Sequence, residues 1–347
     1  MDILELSLSN FRNFQKKKVD FDKKLTVIIG PNGSGKSNIF EAISLLCGIK
    51  SQKVETDVDL ITFGKDEAKI EGIVNNFQAV KTLTVAIQAL DERRVGKAYF
   101  TDNIKKRLSD FLDSLAIVVF HPADLDLVSG SPSLRRHHVD QILSVLSREY
   151  WRNLSSYNKI ITRRNKVLTR IIEGKSKKNE LDFWDERLVS HGKFISKERE
   201  KFFEFLNLPS SGQVSAWNVS WDLKQSVISE EKLIRDRERD ISAGITLSGP
   251  QRDDFRFKMN ERDLEYFGSR GEQRMAVLAL KIAELEYFQL KKQARPILAL
   301  DDIFSELDWE HREAVLEVVG KQQTIITAAE KESVPKELLK KAKIIEL

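Results

Sequence analysis

The stretch LTVIIGPNGSGKSNIFEAISLL, Leu25–Leu46, decides the fold. Its first five residues are a short β-branched run that ends at a glycine, the pattern of a buried strand. GPNGSGKS at Gly30–Ser37 matches G-x-x-x-x-G-K-[ST], and Ser37–Leu46 reads as a helix. A strand, a glycine-rich loop and a helix in that order form a phosphate cradle. Gly30, Gly33 and Gly35 let backbone amides approach, with Pro31, Asn32 and Ser34 between them. Lys36 reaches the β- and γ-phosphates, Ser37 ligates magnesium, and the helix N-terminus adds its positive dipole end. Average residue frequencies would produce the bare pattern in roughly one chain in a hundred of this length. The implied cofactors are ATP and Mg2+.

Further along, ILALDD at Ile297–Asp302 is an apolar strand delivering two carboxylates at its C-terminal end, where ligands sit in parallel α/β sheets. Asp301 is expected to hold the metal directly or through water. Asp302 is expected to orient or deprotonate the attacking water, which makes Lys36 and Asp302 the catalytic pair. GSRGEQR at Gly268–Arg274 opens a helix over Glu272–Lys291. Ser269 with free amides there forms an anion site, and Ser269 with Glu272 also fits a helix cap; the two readings are compatible.

Around these motifs the chain begins with strand-like segments (Ile3–Leu8, Val19–Phe21, Ile70–Phe77, Leu83–Leu90, Leu115–Phe120). After Pro122 the texture changes. Apolar residues recur every three or four positions from Val139 to Ile171, a narrow helical seam. A helix over Pro132–Glu173 would run ~60 Å. Gly174–Asn179 breaks it and a second seam follows from Leu181 to Phe205, predicting an antiparallel helical hairpin. An ordinary helical subdomain and a protruding arm fit this pattern equally. Strand signals return near Thr246, at Asp254–Met259, Ile297–Leu300 and Thr324–Thr327. The expected organisation is residues 1–121 and 244–347 as one α/β body and 122–243 as a mostly helical insertion.

Composition narrows the function. The 347 residues are 41% hydrophobic and 32% charged, with 57 Lys and Arg against 53 Asp and Glu, so bulk charge does not announce a nucleic-acid binder. Cys47 is the only cysteine, which excludes an intrachain disulfide and a cysteine zinc site. The N-terminus has no apolar h-region and no stretch approaches 18 consecutive apolar residues, so a cytoplasmic, soluble protein is expected. Charge is nonetheless local: Lys159–Lys178 holds eight Lys or Arg against one acid, Glu173. Such a cluster at a hairpin tip is a footprint for phosphate backbone, and Arg163, Arg164, Lys166 and Arg170 are the candidate DNA-binding residues. A solvated helix face explains the same run equally well. No sequence-reading motif appears, so binding should be indifferent to base sequence.

The order of the phosphate loop, the Ser269–Gln273 signature, Asp301-Asp302 and the SELD stretch at Ser305–Asp308 resembles an ABC-type ATPase head. NFRN at Asn10–Asn13, FHPADLDLVSGSPSLRR at Phe120–Arg136, LSGPQRDD at Leu247–Asp254 and LDDIFSELD at Leu300–Asp308 resemble the RecF family of bacterial recombination mediators, across essentially the whole chain. The resemblance implies a P-loop ABC-type head of mixed sheets with flanking helices plus the inserted helical domain. It implies an ATP-dependent homodimer in which Ser269, Gly271, Glu272 and Gln273 act across the interface on nucleotide held by the partner, with Asp308 near the seam and Arg12 approaching the nucleotide from the first strand. It further implies a weak, DNA-dependent ATPase that clamps DNA at gaps, with RecR, RecO and the recombinase RecA as partners. Thr327 stands where many such ATPases place histidine, and Asp302 where transporters favour glutamate; both departures predict slow hydrolysis. No convincing glutamine marks the nucleotide-sensing loop, and Lys53 stands where an arginine is expected. An SMC-like chromosome-structuring ATPase is the alternative, disfavoured by the short insertion, and a transporter subunit is disfavoured by the signature.

Overall fold

The computed structural model describes residues 1–51, 56–76, 79–208, 217–306 and 309–347. Lys53 and Asp308 lie outside them. The chain divides into two compact units, one containing Met1–Leu125 and Gln273–Leu347, the other containing residues 126–208 and 217–272.

The first unit holds two sheets. Strands β1 (Asp2–Phe11), β2 (Phe14–Asp20), β3 (Leu25–Ile29), β4 (Glu67–Asn75), β5 (Val80–Ala89), β6 (Val95–Thr101), β7 (Ile104–Lys106) and β8 (Ile117–Phe120) precede the second unit, which contributes β9 (Val219–Lys224), β10 (Asp254–Met259) and β11 (Arg262–Asp263). β12 (Ile297–Asp301), β13 (Thr324–Ala328) and β14 (Lys343–Glu346) complete the first. An antiparallel sheet has the order β2-β1-β4-β5-β6-β7, and a parallel sheet the order β14-β3-β13-β12-β8. The helix Lys36–Leu46 contacts β4 and β5 on one side and β8 and β12 on the other. Its Ile39, Phe40, Ile43 and Leu46 are fully buried. The phosphate loop is thereby fixed between two sheets. β12 and β13 are buried at every position, as strands of a parallel sheet covered on both faces are.

In the second unit the expected single helix is two. Pro132–Leu146 and Arg148–Ile172 are separated by Ser147, whose backbone is extended (φ −140°) and whose Oγ accepts the Tyr150 N–H. The hydrophobic seam runs through the break because both helices bury the same side. Asp182–Leu206 returns antiparallel, so the hairpin forms as expected.

The expected return to the first unit at residue 244 is displaced. Thr246–Glu272 stays with the second unit because β10 pairs with β9 and because arginines bind the segment down. Arg135 forms a two-pronged pair with Asp254 (2.7 and 3.1 Å), Arg136 donates to the Asp253 carbonyl (2.8 Å), and Arg199 bridges Asp140 (2.8 Å) and Asp253 (2.7 Å). The SPSLRR and GPQRDD stretches thus hold each other. Strands β6, β7, β9 and β14 carry no strong alternating pattern and were not expected.

Candidate functional site

Three of the parallel strands and the helix Lys36–Leu46 bring the chemistry together. The loop leaves β3 at Gly30, and Gly33 and Gly35 adopt left-handed backbone (φ 85° and 103°) that favours glycine. A Cβ on Gly35 would lie 2.4 Å from the Phe14 ring and 2.8 Å from the Asn13 amide, so the β1–β2 turn presses directly on the loop. Asn13 Nδ2 donates to the Ser34 carbonyl (3.2 Å) and Asn13 Oδ1 accepts from Asn38 (2.9 Å). The Lys36 ammonium donates to the carbonyls of Gly30 and Pro31, and Ser34 Oγ is buried without a hydrogen-bond partner among the described residues.

At the mouth of the loop Asp301 collects three donors. Its Oδ2 accepts from Ser37 Oγ (2.8 Å) and His121 Nδ1 (2.9 Å), and its Oδ1 accepts from Thr327 Oγ1 (2.8 Å). Burial would raise the Asp301 carboxyl, but His121, Thr327 and Ser37 outweigh it and bring it below the usual carboxylate value, to about 2. The group is a fixed anion at neutral pH. Asp302 follows in left-handed backbone (φ 52°), its N–H held by the Thr327 carbonyl (3.2 Å) and hydroxyl (3.1 Å). Asp302 Oδ1 is buried and has no partner among the described residues. Backbone at positive φ with an unpaired buried carboxylate oxygen is the kind of departure that clusters at functional sites.

Among the described residues no cluster of three or more His, Cys, Asp or Glu could hold a metal alone. Ser37 Oγ and the Asp301 carboxylate supply hard oxygen ligands within hydrogen-bond distance of each other. That suits a magnesium ion shared with phosphate oxygens. Beside the loop a pocket of about 560 Å³ is lined by Arg12, Asn13, Asn38, Asp59, Thr62 and Phe63, the last fully exposed. Arg12 lies at its wall, held by both Glu41 oxygens (2.6 and 2.9 Å) and donating to the Asp59 carbonyl (3.1 Å).

Ser269, Gly271, Glu272 and Gln273 stand at the start of the helix Arg270–Lys292. Ser269 N–H donates to Glu272 Oε2 (2.8 Å) and Glu272 N–H to Ser269 Oγ (3.2 Å), a reciprocal cap.

One of the four expected DNA-facing residues is misplaced by the charge-run argument. Arg164 is 0% exposed and bonds Asp185 (2.7 Å), Asp240 (2.8 Å) and Thr246 (2.9 Å) inside the second unit. Successive helical positions point about 100° apart, so a run of basic residues cannot all face solvent. Arg163, Lys166 and Arg170 are exposed. With Lys159 they follow a four-three-four spacing that places them on one stripe of the helix Arg148–Ile172.

His121 was not anticipated. The available signal was a histidine immediately after an apolar strand, but its meaning depends on β8 pairing with β12 in the register Phe120↔Leu300.

Residues 2–344 match the RecF/RecN/SMC N-terminal domain. The DNA replication and repair protein RecF of Bacillus cytotoxicus is 35% identical over 99% of this chain and 96% of its own length, and that of Moorella thermoacetica 34% identical over 100% and 95%. A solved structure of the recombination mediator RecF with ATP, in the RecFOR pathway, superimposes with a TM-score of 0.84 at 30% identity, covering 96% of this chain and 93% of that one. The Smc head of Pyrococcus furiosus shares the fold, with a TM-score of 0.56 at 20% identity over 99% of this chain and 92% of that one. The full-length match to these relatives and the phosphate loop facing a strand-end acidic pair place the chain in the RecF family.

Proposed function

We propose that this chain is an ATP-dependent DNA-binding protein of recombinational gap repair. ATP draws two copies together head to head, the closed dimer clamps DNA, and slow hydrolysis opens it. With RecO and RecR the clamp helps load the recombinase RecA. The observation that carries the reading is the convergence of Ser37, His121 and Thr327 on the ionised Asp301 at the mouth of the phosphate loop. Full-length likeness to relatives named for DNA replication and repair, and to a RecF solved with ATP, supports the biological setting.

The roles divide as follows. Lys36 turns from its own loop carbonyls to the phosphates, and Ser37 with Asp301 would hold magnesium. A bound magnesium nucleotide supplies the electrophilic γ-phosphate, and Asp302 orients the attacking water. The pocket at Arg12 and Phe63 accepts the nucleoside, whose base can stack on the exposed ring. Thr327 is committed to the Asp301 carboxylate and the Asp302 N–H and carries no charge for the γ-phosphate, so turnover is slow. Ser269 and the following turn reach the partner's nucleotide, for which a capped helix N-terminus is a ready anion site. Lys159, Arg163, Lys166 and Arg170 track the DNA backbone.

Sedimentation of the full chain with ATP, ADP or neither, each with and without a gapped duplex, tests the proposal. ATP alone should shift the protein to a dimer, and ATP with DNA should give the largest species. A protein that stays monomeric with ATP and DNA together refutes the clamp.

A further inference from the structure

His121 emerges from β8 beside Asp301 because the two parallel strands end in register. A carboxylate only accepts hydrogen bonds, so Nδ1 carries the proton in the 2.9 Å bond to Asp301 Oδ2. The histidine is itself held. Its backbone N–H donates to Asp124 Oδ2 (2.8 Å), and the Asp124 N–H returns to the His121 carbonyl (2.9 Å). That carboxylate lies 3.5 Å from the ammonium of Lys281, which lies 3.9 Å from Glu284. Lys281 is 5% exposed and Glu284 1%. Ions buried this deeply cost several kcal/mol each unless they are paired. Pairing with Asp124 couples this buried charge to the turn that carries His121.

We propose that His121 is a positioning residue for Asp301, and that the buried Asp124–Lys281–Glu284 cluster anchors His121. The inference rests on the reading above that Ser37 and Asp301 hold the magnesium of a bound nucleotide. Ser37 and His121 converge on one carboxylate oxygen and Thr327 takes the other, so three separate elements fix the carboxylate against rotation. Without His121 the Oδ2 side loses one of its two described donors, and the other, Ser37, is the hydroxyl that must also turn a lone pair to the metal. Hydrogen-bond partners behind a ligating group typically govern 10–100-fold in metal affinity. His121 thereby tightens the metal-dependent part of nucleotide binding and leaves the phosphate loop itself alone.

The test compares His121→Ala and His121→Asn in the full chain by fluorescent-ATP titration, once with magnesium and once with EDTA. The asparagine Nδ2 sits at the same bond separation from Cβ as the histidine Nδ1, so it retains the donor. His121→Ala should weaken binding about tenfold or more with magnesium and leave the EDTA titration unchanged. His121→Asn should recover most of the loss. Equal weakening in both titrations would make His121 a packing residue, and an asparagine no better than alanine would remove the hydrogen bond from the explanation; either overturns the proposal. A wild-type protein whose affinity ignores magnesium overturns the metal site itself. A magnesium-dependent protein in which His121→Ala has no effect overturns only the role of His121.

Discussion

Replacing Arg164 by alanine removes the one cation shared by two buried carboxylates. Asp185 retains Arg237 at 2.9 Å, but Asp240, fully buried, is left among the described residues with the Leu247 N–H at 3.0 Å. Breaking a buried ion pair from one side costs about 3–5 kcal/mol, chiefly through the orphaned charge. The hydrogen bond to Thr246 is lost as well, and with it part of the hold on the segment leading to β10. We therefore expect a loss of about 4 kcal/mol in the unit formed by residues 126–208 and 217–272, equivalent to roughly 10–20 °C in its melting transition. Adding Asp240→Asn removes the orphaned charge and should recover a substantial part. Thermal melts by circular dichroism measure both variants, and a parallel DNA titration at a temperature where each is folded should give an unchanged salt dependence. A melting shift of only a few degrees, together with a flatter salt dependence, would return Arg164 to the DNA-facing surface and refute the burial argument.

Ser269→Arg should leave the monomer's ATP affinity near normal and block ATP-induced dimerisation in sedimentation; a mutant that still dimerises would reduce the turn to a helix cap. Asp302→Asn keeps a side chain that tolerates the left-handed backbone but removes the base, so the dimer should close and persist on DNA. Loss of ATP binding in that variant would mean the two carboxylates have exchanged roles. Changing Arg163, Lys166 and Arg170 together to alanine should flatten the dependence of log K on log salt by up to about three units, at about 0.9 per neutralised phosphate, with ATP binding untouched. An unchanged slope would route the DNA over another surface.

The phosphate loop was legible because eight consecutive residues carry both its backbone demands and its chemistry. The acidic pair was nearly as plain, since an apolar run says where the strand ends. His121 was not, because its partner is 180 residues away in sequence and only sheet order makes them neighbours. Thr327 was noticed as a missing histidine, whereas its observed work is to bridge Asp301 and the Asp302 N–H. The break at Ser147 escaped because Leu146 and Tyr150 keep the three-to-four spacing across it. The buried arginines escaped for a different reason: composition records charge, and only packing reveals which charges are enclosed.

The position of β3 in its sheet also governs when the nucleotide site can form. Both of its neighbours, β13 and β14, come from residues 324–346, whereas every strand of the antiparallel sheet lies within the first 106. Ribosomes add about 5–20 residues per second, so the strand bearing the phosphate loop waits on the order of 15–60 s for its partners. During that interval LTVII offers two unpaired edges, the kind of surface that recruits other chains. The helix Lys36–Leu46 can already lie on the antiparallel sheet through β4 and β5. A polypeptide stopped at Val319 would contain every residue of the phosphate loop and still lack both strands that hold it in place.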